Sequence, residues 1–161
     1  MVDTNEYENL ARETGAFKDI ELDLIRDAFS AWRKSPGDPY TILEIRDGKI
    51  LAGFTACSRK ANTDFSFDLL ALCVDPSYVG KGITSGLLGM IEDELLRTKA
   101  SAILRVEISS LKEAAIGKGI LSERGYSLIG HIPDFYGHGD DYYMYAKHLR
   151  RAVEVAKTGG V

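Results

Sequence analysis

The stretch Ala71-Leu72-Cys73-Val74-Asp75-Pro76-Ser77-Tyr78-Val79-Gly80-Lys81-Gly82-Ile83-Thr84-Ser85-Gly86-Leu87-Leu88 constrains the chain most. An apolar run of strand type stops at Asp75-Pro76, a glycine-containing turn follows, and Ile83, Leu87, Leu88, Ile91, Leu95 and Leu96 then recur at helical spacing. The pattern predicts a strand, a tight loop and a helix that starts between Gly80 and Ser85. Such a helix start carries free backbone N–H groups and the positive pole of the helix dipole. Glycines let a phosphate come close to the backbone. The stretch reads either as an anion cradle for a pyrophosphate or as a strand–helix connection whose glycines only make the turn. It is not a Walker A loop, because no Gly-x4-Gly-Lys-Ser/Thr is present, and it is not the dinucleotide Gly-x-Gly-x-x-Gly.

The rest of the chain supplies elements around this unit. Tyr7 to Arg12 fits a short first strand or a helix end. Asp19 is the expected N-cap of a helix to about Lys34, with Ile20, Leu24, Ile25, Ala28, Phe29 and Trp32 on one side. After the loop Ser35 to Pro39, Tyr40 to Ile45 and Lys49 to Ser58 form a hairpin around Asp47-Gly48. Gly53 marks a bulge or a close approach. Asp64 to Val74 is the third strand, and Ser101 to Ser109 another, joined to it across the glycine-turn helix as a parallel crossover. Ser110-x-x-Glu113 reads as a capping box opening a helix that ends near Arg124, with Gly125 as its C′ residue. Tyr126 to Ile132 and Tyr142 to His148 form a last antiparallel pair joined by the loop Pro133 to Asp141. Residues 150–161 read as a short, partly disordered extension of one domain spanning residues 1–149.

At 161 residues the chain has the length of one domain with a substantial core. A net charge of −4 argues against generic nucleic-acid binding, and no run of 18 apolar residues suggests a membrane span. Cys57 and Cys73 lie in strand-like runs and read as reduced core thiols, which suits the cytoplasm. His131, His138 and His148 lack metal-ligand spacing, so no metal is expected.

Val-Asp-Pro-x-Tyr-x-Gly-Lys-Gly-Ile-x-x-x-Leu-Leu, over residues 74–88, closely resembles the acetyl-CoA-binding motif of the GCN5-related N-acetyltransferase (GNAT) superfamily. The element order β–α–βββ–α–β–α–ββ resembles the same superfamily from about Tyr7 to Leu149. The segments Arg105-Val106-Glu107-x-Ser109-Ser110 and Pro133-Asp134-Phe135-Tyr136-x-x-Gly139-Asp140-Asp141 are similar to a bacterial or archaeal branch whose members mostly lack an assigned substrate. The resemblance implies an α+β, three-layer fold with a mixed sheet of about six or seven strands. It also implies acetyl-CoA as co-substrate and transfer of acetyl to a primary amine of a small molecule or peptide, with a homodimer through the last strands as one arrangement.

Carried onto this chain, the resemblance makes Leu72, Cys73 and Val74 the strand edge that pairs with the pantetheine amides. It assigns the pyrophosphate to N–H groups of Val79, Gly80, Lys81, Gly82, Ile83 and Thr84, with the Ser85 hydroxyl in reach. Lys81 adds a charge or is simply solvated. Glu107 and Asp68 are candidate bases, or else an ion-paired strand glutamate and an edge-strand charge. The tyrosine usual four residues before the closing Gly-Phe/Tyr pair is Leu121 here, and the asparagine usual near that helix start is replaced within Glu113-Ala114-Ala115. The usual Arg or Gln at the first cradle position is Val79, and the usual small residue at the last is Thr84. Tyr136 is the candidate replacement acid, or an aromatic packed over a glycine turn. These departures keep open a second reading, an acetyl-CoA-binding sensor with weak or no transferase activity. Arg33 and Lys34, at the end of the first long helix, hint at an acidic acceptor or merely complement the helix dipole.

Overall fold

The computed structural model describes residues 4–152, and the expected tail beyond Ala152 lies outside them. Its elements run α1 (Thr4–Glu13), α2 (Asp19–Lys34), β1 (Tyr40–Asp47), β2 (Ile50–Arg59) and β3 (Ser66–Val74). A single 3₁₀ turn (Pro76–Tyr78) leads to α3 (Ile83–Thr98), β4 (Ser101–Ser109), α4 (Ser110–Ile116), α5 (Ile120–Glu123), β5 (Ser127–Gly137) and β6 (Asp140–Arg150). The six strands form one mixed sheet in the order β1-β2-β3-β4-β6-β5, parallel only between β3 and β4.

Helices cover both faces. On one face Leu72, Val74, Leu87, Leu88, Ile91, Leu104, Val106 and Leu121 join a core under α3 to α5. On the other, Tyr7, Leu10, Leu22, Ile25, Phe29, Phe54, Ala71 and Cys73 join a core under α1 and α2. Along the end of β3 the side chains alternate, Ala71 and Cys73 entering one core and Leu72 and Val74 the other, whereas Ala102, Leu104, Val106 and Ile108 of β4 all enter the core under α3 to α5.

Three local readings change and one open reading closes. The first described element is a helix, one of the two forms left open for Tyr7 to Arg12: Tyr7, Leu10 and Ala11 sit at i, i+3 and i+4, and all three are buried. Helix α2 is capped by Lys18, whose N–H donates to the Glu21 carboxylate at 2.8 Å, so Asp19 is its first helical residue. Its buried side is Leu22, Ile25, Ala28 and Phe29, while Ile20 and Leu24 are left 66% and 62% exposed. The helix after β4 is capped by Ser109 rather than Ser110 and breaks in two, because Gly117 and Gly119 take φ of +109° and +84°. Most of the expected last loop is strand. β5 runs through Pro133 to Gly137, with irregular pairing between Ile132 and Gly137, as an edge strand permits for proline.

Gly53 is a close-approach site. A Cβ there would stand 2.8 Å from both the Cys73 carbonyl oxygen and Ile83 Cγ2, so its absence lets α3 lie against β2 and β3. At the far end, Arg151 donates to the Leu96 carbonyl at 2.8 Å and its N–H to Ala100, tying the end of β6 to α3 and β4.

Candidate active site

The site grows from an interruption in strand pairing. β3 and β4 pair from Ser66↔Ile103 to Leu69↔Val106 and no further. On its other side β3 continues against β2, but the register slips: Cys57 faces Leu69 and Ala56 faces Ala71. Leu70 is the extra residue. A bulge bends and twists its strand, so β3 leaves β4 at that point and a groove opens between Leu69–Leu72 and Val106–Ile108. Along Ala71 to Val74, one row of backbone N–H and C=O groups keeps its β2 partners and the other has no partner strand. The Leu72, Cys73 and Val74 side chains are buried, so along these three residues β3 offers its backbone edge.

Val74 ends β3 at the 3₁₀ turn, where Asp75 accepts from the Ser77 N–H at 2.8 Å. Gly80 and Gly82 then take φ of +82° and +83°, and space is open beside both. Gly82 caps α3 and has no side chain to satisfy the first-turn amides of Ile83, Thr84 and Ser85, which are left for an anion. The Thr84 hydroxyl turns inward to donate to the Ile116 carbonyl at 2.6 Å, holding α4 against the start of α3. Lys81 Nζ lies 5.4 Å over the Tyr78 ring, and the Tyr78 hydroxyl donates to Asp47 at 2.7 Å on the β1–β2 turn. Val79 is part exposed and bridges the 3₁₀ turn to Gly80. An uncapped helix start, two open glycines and a strand edge without a partner follow one another here and could hold an extended anionic ligand, although the Lys81 N–H is already given to the Tyr78 carbonyl at 3.1 Å.

On the α2 side of the sheet, Arg105 and Glu107 project from β4 beside Asp68 of β3. Asp68 and Arg105 are register partners and form a bidentate ion pair, Nε to Oδ1 2.7 Å and Nη2 to Oδ2 3.0 Å. Glu107 follows the last paired rung. It accepts from the Tyr142 hydroxyl at 3.0 Å and lies 3.8 Å from Arg105 Nη1. Half its side chain is exposed and it lines the groove. Asp68 therefore has both oxygens engaged, whereas Glu107 keeps capacity to accept another donor.

Tyr136 stands near Glu107 in an aromatic group from the last two strands. Its ring is 4.9 Å from that of Phe135, which in turn is 5.0 Å from that of Tyr142. Burial, then the fields of Glu107, Glu21 and Asp140, raise the Tyr136 hydroxyl above its usual pKa; burial and the bond to Glu107 do the same for Tyr142. Both are protonated donors at neutral pH. Leu121 lies in the core under α5 and cannot reach the groove.

Two features escape the sequence reading. Tyr142 belongs to an alternating strand pattern that reads as packing, yet its hydroxyl holds Glu107. Lys112, on the first turn of α4, forms an ion pair with Glu21 of α2 and lines the groove. No local signal links residues 91 positions apart.

A mixed sheet splayed at its parallel pair, with a glycine-turn helix start following the splayed strand, is the architecture of an acyltransferase class of fold. The profile of the Acetyltransferase (GNAT) family matches residues 5–117, and the chain belongs to that family. Among solved structures it is similar to a GNAT-family protein from Desulfovibrio desulfuricans (20% identity over 90% of this chain and 91% of that one, TM-score 0.77). It is also similar to an aminoglycoside 6′-N-acetyltransferase complexed with coenzyme A (17% identity, 92% of each chain, TM-score 0.68). A third is the yncA protein of Salmonella typhimurium, solved with its cofactor acetyl-CoA (19% identity, 92% and 87%, TM-score 0.67). Comparison with curated protein sequences found no match.

Proposed function

We propose that the protein is an acetyl-CoA-dependent N-acetyltransferase that acetylates a primary amine of a small molecule or peptide. The observation that carries this reading is the end of β3–β4 pairing at Leu69↔Val106, with Glu107 as the next residue and the start of α3 at the mouth of the gap. Acetyl-CoA supplies the activated acyl group as a thioester. Relatives of this fold solved with coenzyme A or acetyl-CoA lend the donor its support.

Glu107 takes the proton from the acceptor amine, directly or through one water. A primary amine with pKa near ~10.4 is mostly protonated at pH 7, and exposing its lone pair costs roughly 4–5 kcal/mol at about 1.36 kcal/mol per unit. A positioned base is worth about 10²–10⁴-fold. Asp68 is better used in holding Arg105 than as a second base, since its oxygens are occupied. Tyr136 presents its hydroxyl to the departing sulfur. A thiol titrates near ~8.5, below an ordinary tyrosine, so the Tyr136 Oη–H contributes a hydrogen bond rather than a completed proton transfer. Free, buried Cys57 and Cys73 suit a reducing compartment such as the cytoplasm.

The buried Leu121 favours one rival, a CoA-binding sensor without transfer. Calorimetry with acetyl-CoA, paired with thiol release against an amine panel, separates the two. Binding with amine-dependent release is the expected result. Binding without release for any amine selects the sensor, and absence of binding removes both.

A further inference from the structure

Between α2 and the bulge of β3 lies a second cavity of about 170 Å³, adjoining the groove through Leu70 and Ala71. Its walls are almost entirely carbon: Phe17, Leu24, Ala28, Phe29, Tyr40 and Leu70 contribute to it. Cavities of about 150 Å³ with such walls hold a benzene ring. The mouth leaves apolar surface in water, with Leu24 62% and Leu70 44% exposed, and Ile20 one turn earlier on α2 is 66% exposed. These are the α2 residues whose spacing marks them for a core, and the fold does not cover them. The one charged group on the cavity wall, Glu21, is already paired with Lys112. Arg33 and Lys34 lie at the other end of α2 and line none of it.

We propose that this cavity takes an aryl or branched alkyl group of the acceptor, so that the substrate is an apolar primary amine rather than an acidic or polycationic one. The inference rests on the transferase reading, since it places the amine of such a molecule at Glu107 while the side group enters beside Leu70. One methylene in an apolar pocket changes kcat/KM by about 10–200-fold, so a whole phenyl ring discriminates strongly.

The test compares phenethylamine and isopentylamine with ethanolamine and β-alanine as acceptors, and measures phenethylamine binding without donor by calorimetry. Phenethylamine is expected to exceed ethanolamine at least tenfold in kcat/KM, mainly through KM. Ala28→Leu, which fills the cavity, brings that ratio towards one and abolishes donor-free binding of phenethylamine. Leu24→Gln, a change at an exposed rim position that does not threaten folding, lowers the ratio severalfold. Transfer with a ratio under two, or a ratio that Ala28→Leu and Leu24→Gln both leave intact, overturns the inference. Donor-free binding of phenethylamine that Ala28→Leu removes, with no transfer to any amine, keeps the cavity assignment and sinks the transferase reading instead.

Discussion

Arg105 and Asp68 face each other on the last rungs before β3 and β4 part, their guanidinium and carboxylate joined by two bonds of 2.7 and 3.0 Å. The same guanidinium reaches to within 3.8 Å of Glu107 on its other side. Asp68 thus decides how much of the Arg105 charge the proposed base feels. The pair is a third exposed, so its direct contribution to stability is small, on the order of 0–1 kcal/mol. Asp68→Asn should leave denaturant stability within that range and release Arg105 towards Glu107. A closer contact occupies a Glu107 oxygen that would otherwise accept the amine proton, so kcat is expected to drop severalfold. An unchanged kcat would make the fork purely structural.

Glu107→Gln removes the acceptor of the amine proton while keeping shape and the Tyr142 contact. Turnover at neutral pH should fall by about 10²–10⁴-fold and recover as pH approaches the pKa of the free amine. A flat loss across pH 7–10 would argue against Glu107 as base. Tyr142→Phe should produce a milder loss, because it frees Glu107 to move without removing it.

Backbone space around the cradle is tested by two glycines. Gly82→Ala places a side chain at φ +83°, a left-handed conformation costing roughly 1–2 kcal/mol for such a residue. It should weaken CoA binding with a modest drop in melting temperature. Gly53→Ala drives a Cβ to 2.8 Å from the Cys73 carbonyl oxygen and Ile83 Cγ2. The expected cost is about 1–3 kcal/mol of overpacking, read by denaturant unfolding, with α3 displaced and CoA affinity reduced as well.

Burial pushes the Cys57 thiol up to about 12, and burial likewise raises Cys73. Neither thiolate forms at pH 8, so both should resist a water-soluble thiol reagent in the native protein and react rapidly once it is unfolded. Fast labelling under native conditions would place one of them at the surface.

The Asp134 N–H donates to the Asp141 carboxylate at 2.9 Å, and His131 lies 2.7 Å from its other oxygen. That backbone bond first, then His131, holds the Asp141 carboxyl below the usual aspartate range. A depressed folded pKa stabilises above the unfolded value of about 3.9, and the effect is lost as pH falls through the folded value. Exchange of the Asp134 amide should therefore accelerate only in strong acid, and Asp141→Asn should raise it already at pH 5.

The fold and the strand–turn–helix unit at Val74 to Leu88 were legible because their signals are local. Asp75-Pro76, the positive-φ glycines and the period of Leu87, Leu88, Ile91 and Leu95 each follow from the backbone preferences of a few neighbouring residues. The period at Tyr7, Leu10 and Ala11 was also local, but too short to separate a helix from a strand. Gly117 and Gly119 lie inside the helix expected to run to Arg124, where each costs about 1 kcal/mol against alanine, and the structure breaks it there.

The surroundings of Glu107 and the cavity under α2 were not legible in this way. The bulge at Leu70 exists because β2 and β3 pair out of step, and Glu107 becomes available only because that bulge ends the ladder at Val106. Ile20 and Leu24 carry a core pattern, yet whether α2 buries them depends on how the helix lies over a bent strand. The sequence alone determined the strand–turn–helix unit, the order of most elements and the family resemblance, since short-range sterics and periodicity decide those. Only the tertiary structure decided where the sheet splits, that Asp68 is committed to Arg105, that Tyr142 holds Glu107, and that an apolar cavity adjoins the groove. Those are relations between residues distant in the chain, set by packing and strand register, and no window of sequence contains them.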